Sequence, residues 1–276
     1  MFTVEELLSK KNQSYAFAHF EMKKDGAGSD GMRVSELKEY WEMNHERIIQ
    51  EIKEGNYQPG IVKIYEVTNG RGKRRNISSL NVVDRFITRL LSQKMKRYIE
   101  PDFLTNSFAY QDGKGMIGAV MKAKEYMEQG KLYVAEVDIR DFFDIIPLDK
   151  LVELLRAQID DEKILKLVNG YLYCKLDQDG RIMNKTQGIV QGSSISPILS
   201  NLYLHSFDQY LETSGLCWIR FADNINIYAE TQEKATQIYN DVIQKLTTQY
   251  SLDIVNNGWH IYLKDICTYA TLSKVS

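Results

Sequence analysis

The sequence predicts an α+β fold in which an antiparallel sheet is backed by helices. Three observations carry that expectation. Apolar, β-branched runs at 132–137 and 225–228 read as buried strands. The Asn69-Gly70 pair, between strand-like residues 61–67 and 74–78, is a strong hairpin signal. Between such runs lie segments with helical spacing, clearest at 82–98, where apolar side chains fall at 83, 86, 87, 90, 91 and 95.

The elements follow in order. Residues 4–11 read as a helix, followed by a linker to Gly31. A helix over 34–55 begins at an imperfect capping box, Ser35 followed by Lys38-Glu39. After the hairpin at 61–78 and the helix at 82–98, a helix at 118–128 leads into the strand at 132–137. Residues 148–158 and 160–173 read as helices, and 176–184 as a short hairpin turning at Asp179-Gly180. A long helix spans 196–214, a hairpin with Asp223 at its tip spans 217–229, and 232–250 is the last clear helix. No internal repeat or low-complexity segment interrupts this order.

With 276 residues and 43% hydrophobic content, the chain can bury one core or two closely packed subdomains. It has no eighteen-residue apolar run, and its start, MFTVEELLSKKNQ, lacks the basic-then-apolar layout of a signal peptide. Cys174, Cys217 and Cys267 have neither metal-ligand spacing nor an even count, so free thiols in a reducing cytoplasm are expected. The net charge of −2 conceals a polarity. Residues 63–97 hold ten Lys or Arg against two acids, whereas 131–276 hold 14 basic against 19 acidic side chains. A basic segment beside an acidic one suits a protein that grips phosphates with one part and holds cations with the other. Arg85, Arg89 and Lys96 equally fit the solvated face of a helix; Lys73, Arg74 and Arg75, after Gly70 and Gly72, fit that less well.

Two aspartates stand where apolar runs break off: Asp138 in VAEVDIRDFFDII and Asp223 in CWIRFADNINIYAE. One carboxylate at a strand end is an ordinary turn residue. Two on neighbouring strands make an oxygen-rich, negative pocket suited to Mg2+ and to two-metal phosphoryl transfer. Between them lies QGIVQGSSISPILSNLYLHSFDQYL.

At these residues the chain resembles the reverse transcriptases, especially those of bacterial group II introns and their CRISPR-associated relatives. Asp138 with Phe142 and Phe143, then Gln191, Gly192, Ser196, Pro197, Leu199, Ser200 and Asn201, then Phe221-Ala222-Asp223-Asn224 follow that family's order. Upstream, GSDGM, NYQPG and GKRRNISSLNVVDRFITRLLSQ match earlier blocks, so that the likeness spans about residues 25–245. It implies a right-hand polymerase with fingers (1–130, including an N-terminal helical extension) and palm (131–250). Residues 251–276 would be a divergent palm end or the start of a thumb that is otherwise lacking.

The implied activity is RNA-directed DNA polymerisation with two Mg2+ ions, Mn2+ being able to replace them. RNA template, DNA or RNA primer and dNTP are the implied partners, together with a protein or fused domain supplying the thumb; no membrane is expected. Asp138 and Asp223 would ligate metal, with the backbone carbonyl of Ile139 as an extra ligand. Phe143 would gate against the 2′-hydroxyl, and Gln191 and Gly192 would contact the incoming nucleotide and the template pair. Lys73 and Arg75 would hold triphosphate and base, with Arg74 competing for either role because the text Arg75-Asn76-Ile77 departs from the family's continuation.

Asn224 stands where the family carries a second catalytic aspartate. Asn binds Mg2+ more weakly than Asp. Either the lineage tolerates Asn there, or the residue was changed to silence the enzyme while keeping its shape; slow catalysis is expected, and Asn224→Asp should raise the rate. The alternative class is a catalytically silent, RNA-binding or assembly subunit of the same fold.

Overall fold

The computed structural model describes residues 2–22, 26–68 and 74–255. Helices α1 (Val4–Leu7), α2 (Lys10–Glu21) and α3 (Leu37–Glu54) precede strands β1 (Val62–Thr68) and β2 (Arg74–Ser79). Next come α4 (Val82–Ile99), α5 (Met116–Glu128), β3 (Tyr133–Asp138), α6 (Phe142–Ile145), α7 (Leu148–Gln158) and α8 (Glu162–Leu172). The order ends with β4 (Lys175–Gln178), β5 (Arg181–Asn184), α9 (Ser196–Thr213), β6 (Cys217–Phe221), β7 (Asn224–Ala229) and α10 (Gln232–Gln249). Among the described residues no helix is long and apolar enough to cross a membrane.

The chain forms two compact units, each discontinuous in sequence. The first comprises residues up to Pro101 together with 147–199; the second comprises 102–146 and residues from Ser200 onward.

In the first unit the two hairpins join into one sheet, ordered β2-β1-β4-β5, through parallel pairing of β1 with β4. Each hairpin is legible alone, but a parallel contact across more than a hundred residues leaves no local pattern. The core centres on α4, whose Phe86, Ile87, Leu90 and Leu91 are buried. Phe17 and Trp41 close on Phe86, with ring centroids at 4.5 and 4.7 Å.

Helix α2 corrects the expected linker. Ser9 caps it, its Oγ accepting from the Asn12 amide, and Asn12, Ala16 and Phe20 form its narrow buried face. Lys10, Lys11 and Gln13 dilute the apolar period, which hides the helix from pattern reading. The start of α3 also differs from the expected Ser35 box. Residues 34–36 form a 3-10 turn, and the Arg33 amide donates to Glu36 Oε2 at 2.6 Å.

Buried Asp84 ties three segments of this unit together, accepting from Tyr57 Oη, Tyr171 Oη and the Gly60 amide, each at 2.8 Å. Burial pushes its carboxyl above the usual range, against the pull of those donors.

The second unit holds the antiparallel sheet β3-β7-β6. Ala119, Ala123 and Tyr126 of α5 pack with Val134, Ile219 and Tyr228 on the sheet. Helix α10 packs against β3 and β7 and buries Val242 and Leu246.

Candidate active site

Strand register brings the expected aspartates to one end of the second unit's sheet. Asp138 is the last residue of β3 and faces Asn224, the first residue of β7. Moving inward, Val137 faces Ile225 and Glu136 faces Asn226. Side chains alternate across a strand, so Glu136, Asp138, Asn224 and Asn226 share one face while Val137 and Ile225 share the other. The polar quartet is internally bonded. Asn226 Nδ2 donates to Asn224 Oδ1 at 2.6 Å, and Asn224 Nδ2 donates to Glu136 Oε1 at 2.9 Å. Asn224 is buried, whereas Asp138 is exposed.

Asp223 lies in the two-residue turn between β6 and β7, closed by the Phe221–Asn224 pair. Ala222 precedes it at φ +57°, a left-handed conformation that side chains rarely adopt. A buried cation supports that turn: Arg220 Nη1 donates to the Ala222 carbonyl at 3.0 Å and to Asn201 Oδ1 at 2.8 Å. Its other edge meets Asp208, with Nε to Oδ1 at 2.7 Å and Nη2 to Oδ2 at 2.5 Å. Asn201 completes the brace by donating to the Ala109 carbonyl at 2.9 Å. Burial pushes the Asp208 carboxyl up while the guanidinium pulls it back.

From sequence, Arg220 and Asp208 carry no role and Asn201 only a place in a motif. Two signals could have found them. Arg220 occupies an inward strand position like Trp218, where a charge needs a buried partner. Asn201 and Asp208 are seven residues apart on α9 and therefore share a helix face.

Downstream of Asp138 the backbone turns quickly. The Ile139 amide donates to the Asp223 carbonyl at 3.3 Å, and the Val255 amide donates to the Asp138 carbonyl at 2.9 Å. Ile139 is therefore a buried strut between the two aspartate segments. Asp141 takes a left-handed φ of +44° at the start of α6. Phe142 is buried against Tyr203, as expected of a core aromatic. Phe143 is half-buried and meets Tyr110 edge-on, ring centroids 6.4 Å apart. No motif points to Tyr110. It sits at φ +63°, and burial, followed by the charge of Asp223, raises its hydroxyl above the usual range.

Among the described residues no three His, Cys, Asp or Glu side chains gather into a ready metal cluster. The donor set still fits a hard divalent cation. Mg2+ keeps several waters and takes one or two protein carboxylates plus substrate phosphates, which is what Asp138 and Asp223 could provide. Asn224 adds little to that set, because both ends of its amide already serve protein partners.

The remaining candidates belong to the first unit. Gly192 has φ +100°, a conformation that favours glycine, and a Cβ on it would lie 3.2 Å from the Ser78 carbonyl, which would have to give by a few tenths of an ångström. Half-buried Gln191 precedes it, and α9 starts at Ser196, whose Oγ donates to the Val190 carbonyl at 2.6 Å. Arg75 lies in β2 opposite Val67. Lys73 falls outside the described residues.

Comparison with known proteins matches residues 59–269 to the family described as reverse transcriptase (RNA-dependent DNA polymerase). The chain is 31% identical over 185 residues to the uncharacterized 91 kDa protein in cob intron of Schizosaccharomyces pombe, covering 66% of this chain and 22% of that protein. It is 26% identical over 187 residues to the group II intron-encoded protein LtrA of Lactococcus lactis subsp. cremoris, covering 67% and 31% respectively. Among solved structures, a chain of a partial Cas6-RT-Cas1–Cas2 complex aligns with 89% of this chain and 42% of its own length, at TM-score 0.53 and 20% identity. That likeness supports the α+β, fingers-and-palm architecture. The chain spans less than half the length of each of these proteins.

Proposed function

The chain belongs to the reverse transcriptase family, and on that premise we propose that it is an RNA-directed DNA polymerase core working by two-metal nucleotidyl transfer. The observation that carries this reading is the register that sets Asp138 beside the Asp223 turn. When bound, two Mg2+ ions, or Mn2+ in their place, would activate the primer hydroxyl and stabilise the leaving oxygen. Asp138 and Asp223 hold the negative charge at the strand ends, and Arg220 fixes the turn that presents Asp223. Phe143, half-buried and edge-on to Tyr110, would reject a 2′-hydroxyl by shape. Gln191 and Gly192 would bind nucleotide and template pair, and Lys73 and Arg75 the triphosphate and base. RNA template, primer and dNTP are the proposed partners.

Asn224 supports reduced turnover. Its neutral amide is engaged by Glu136 and Asn226, which leaves two carboxylates for the ions. The same observation favours a second reading, a silent subunit that binds RNA without extending a primer. Primer extension on an RNA template with Mg2+ or Mn2+, beside template binding by the same preparation, tests the two. Metal-dependent extension supports the polymerase, and binding without extension supports the silent subunit.

A further inference from the structure

The direction of the hydrogen bonds around Asn224 carries information that its neutrality alone does not. An ionised carboxylate only accepts, so a side chain at position 224 that bonds to Glu136 must donate. The Asn224 amide nitrogen meets that need at 2.9 Å. Its oxygen is thereby turned toward position 226, which must in turn donate, and Asn226 does so at 2.6 Å. The chain of bonds runs one way, from Asn226 through Asn224 to Glu136. Reversing the Asn224 amide would set oxygen against carboxylate and nitrogen against nitrogen.

An aspartate at 224 cannot enter this arrangement. It would keep the bond from Asn226 but lose the one to Glu136, and it would set two like charges at hydrogen-bond distance with one of them buried. Glu136 shares the sheet face of Asp138. Its charge therefore stands on the side of the sheet where the family's second aspartate would have placed one.

We propose that Glu136, Asn224 and Asn226 form one positioning unit, in which Asn224 donates to Glu136 and Glu136 carries the negative charge that position 224 lacks. Asn224, although it adds little to the metal donor set, is then matched to Glu136. The gain expected from Asn224→Asp becomes conditional: the carboxylate is tolerated only when Glu136 is neutralised with it. The proposal rests on the polymerase reading for its catalytic consequence but not for its structural content.

The test is a charge-swap cycle of Asn224→Asp, Glu136→Gln and the double variant, read first as thermal unfolding at neutral pH in EDTA. No primer, template or metal enters that arm, so it can fail while the polymerase reading stands, and the reverse. Asn224→Asp should lower the unfolding midpoint by about 5 °C, and adding Glu136→Gln should recover at least half of that loss. Glu136→Gln alone should change little, because a Gln oxygen still accepts from Asn224. If Asn224→Asp proves insoluble, recovery of soluble protein in the double variant supports the proposal, and two insoluble proteins overturn it. An unchanged midpoint in Asn224→Asp, or a loss that Glu136→Gln does not relieve, also overturns it. The second arm is primer extension, where the double variant should exceed Asn224→Asp at least tenfold in kcat with little change in nucleotide KM. Equal rates in the two would overturn the positioning role.

Discussion

Arg220 and Asp208 form a bidentate ion pair at 2.7 and 2.5 Å, with both side chains about 1% exposed. A pair so buried is costly to create and more costly to break, because the survivor keeps its charge without a partner. Here the cation also holds the Ala222 carbonyl and thereby the left-handed turn that ends in Asp223. Arg220→Ala should therefore destabilise the protein by about 3–5 kcal/mol in denaturant unfolding. Arg220→Lys keeps a charge but loses the planar fork. It should retain more stability than Arg220→Ala yet still reduce kcat. A kcat unchanged in Arg220→Lys would show that the brace does not position Asp223.

Sugar choice tests the aromatic wall. Phe143→Ala should raise incorporation of ribonucleotides relative to deoxynucleotides while extension continues. If Phe143→Ala lowers stability and leaves discrimination as it was, the ring is only packing against Tyr110.

Gly192 gives a prediction confined to the first unit. With φ +100° and the Ser78 carbonyl 3.2 Å from where a methyl group would sit, Gly192→Ala should cost about 1–3 kcal/mol of stability. A measured loss under a few tenths would mean that the loop relaxes freely.

The aspartates at the strand ends, the hairpin tip and the QG…SP…LSN segment were legible because each depends on short-range pattern and a specific string. The brace of Arg220, Asp208 and Asn201 was not, since it joins a strand to a helix through side chains whose types are ordinary by themselves. Asn224 was visible as a departure, but its meaning depends on Glu136, 88 residues earlier in the chain. Only the β3–β7 register puts the two together. Helix α2 and the parallel β1–β4 contact escaped for a related reason: a diluted apolar face and a long-range pairing have no strong local signature.

Acid titration supplies a check remote from the site. Glu230 bonds to Lys131 and Lys234, which lower its carboxyl from 4.5 to about 2. A depressed folded pKa contributes stability that is present above the unfolded value of 4.5 and is lost as pH falls toward 2. Glu230→Gln should therefore lower stability slightly at neutral pH and flatten the acid limb of the curve. A limb of unchanged steepness would show that these exposed contacts do not persist in solution.

The most direct test of the account is single-turnover primer extension on an RNA template with dNTPs, comparing the protein with Asp138→Asn and Asp223→Asn over a Mg2+ and Mn2+ series. The account predicts metal-dependent extension by the parent and at least a thousandfold loss, about 4 kcal/mol of barrier, in either variant with template-primer binding retained. Extension that survives both substitutions would contradict it, as would a parent that binds template but extends no primer at any metal concentration.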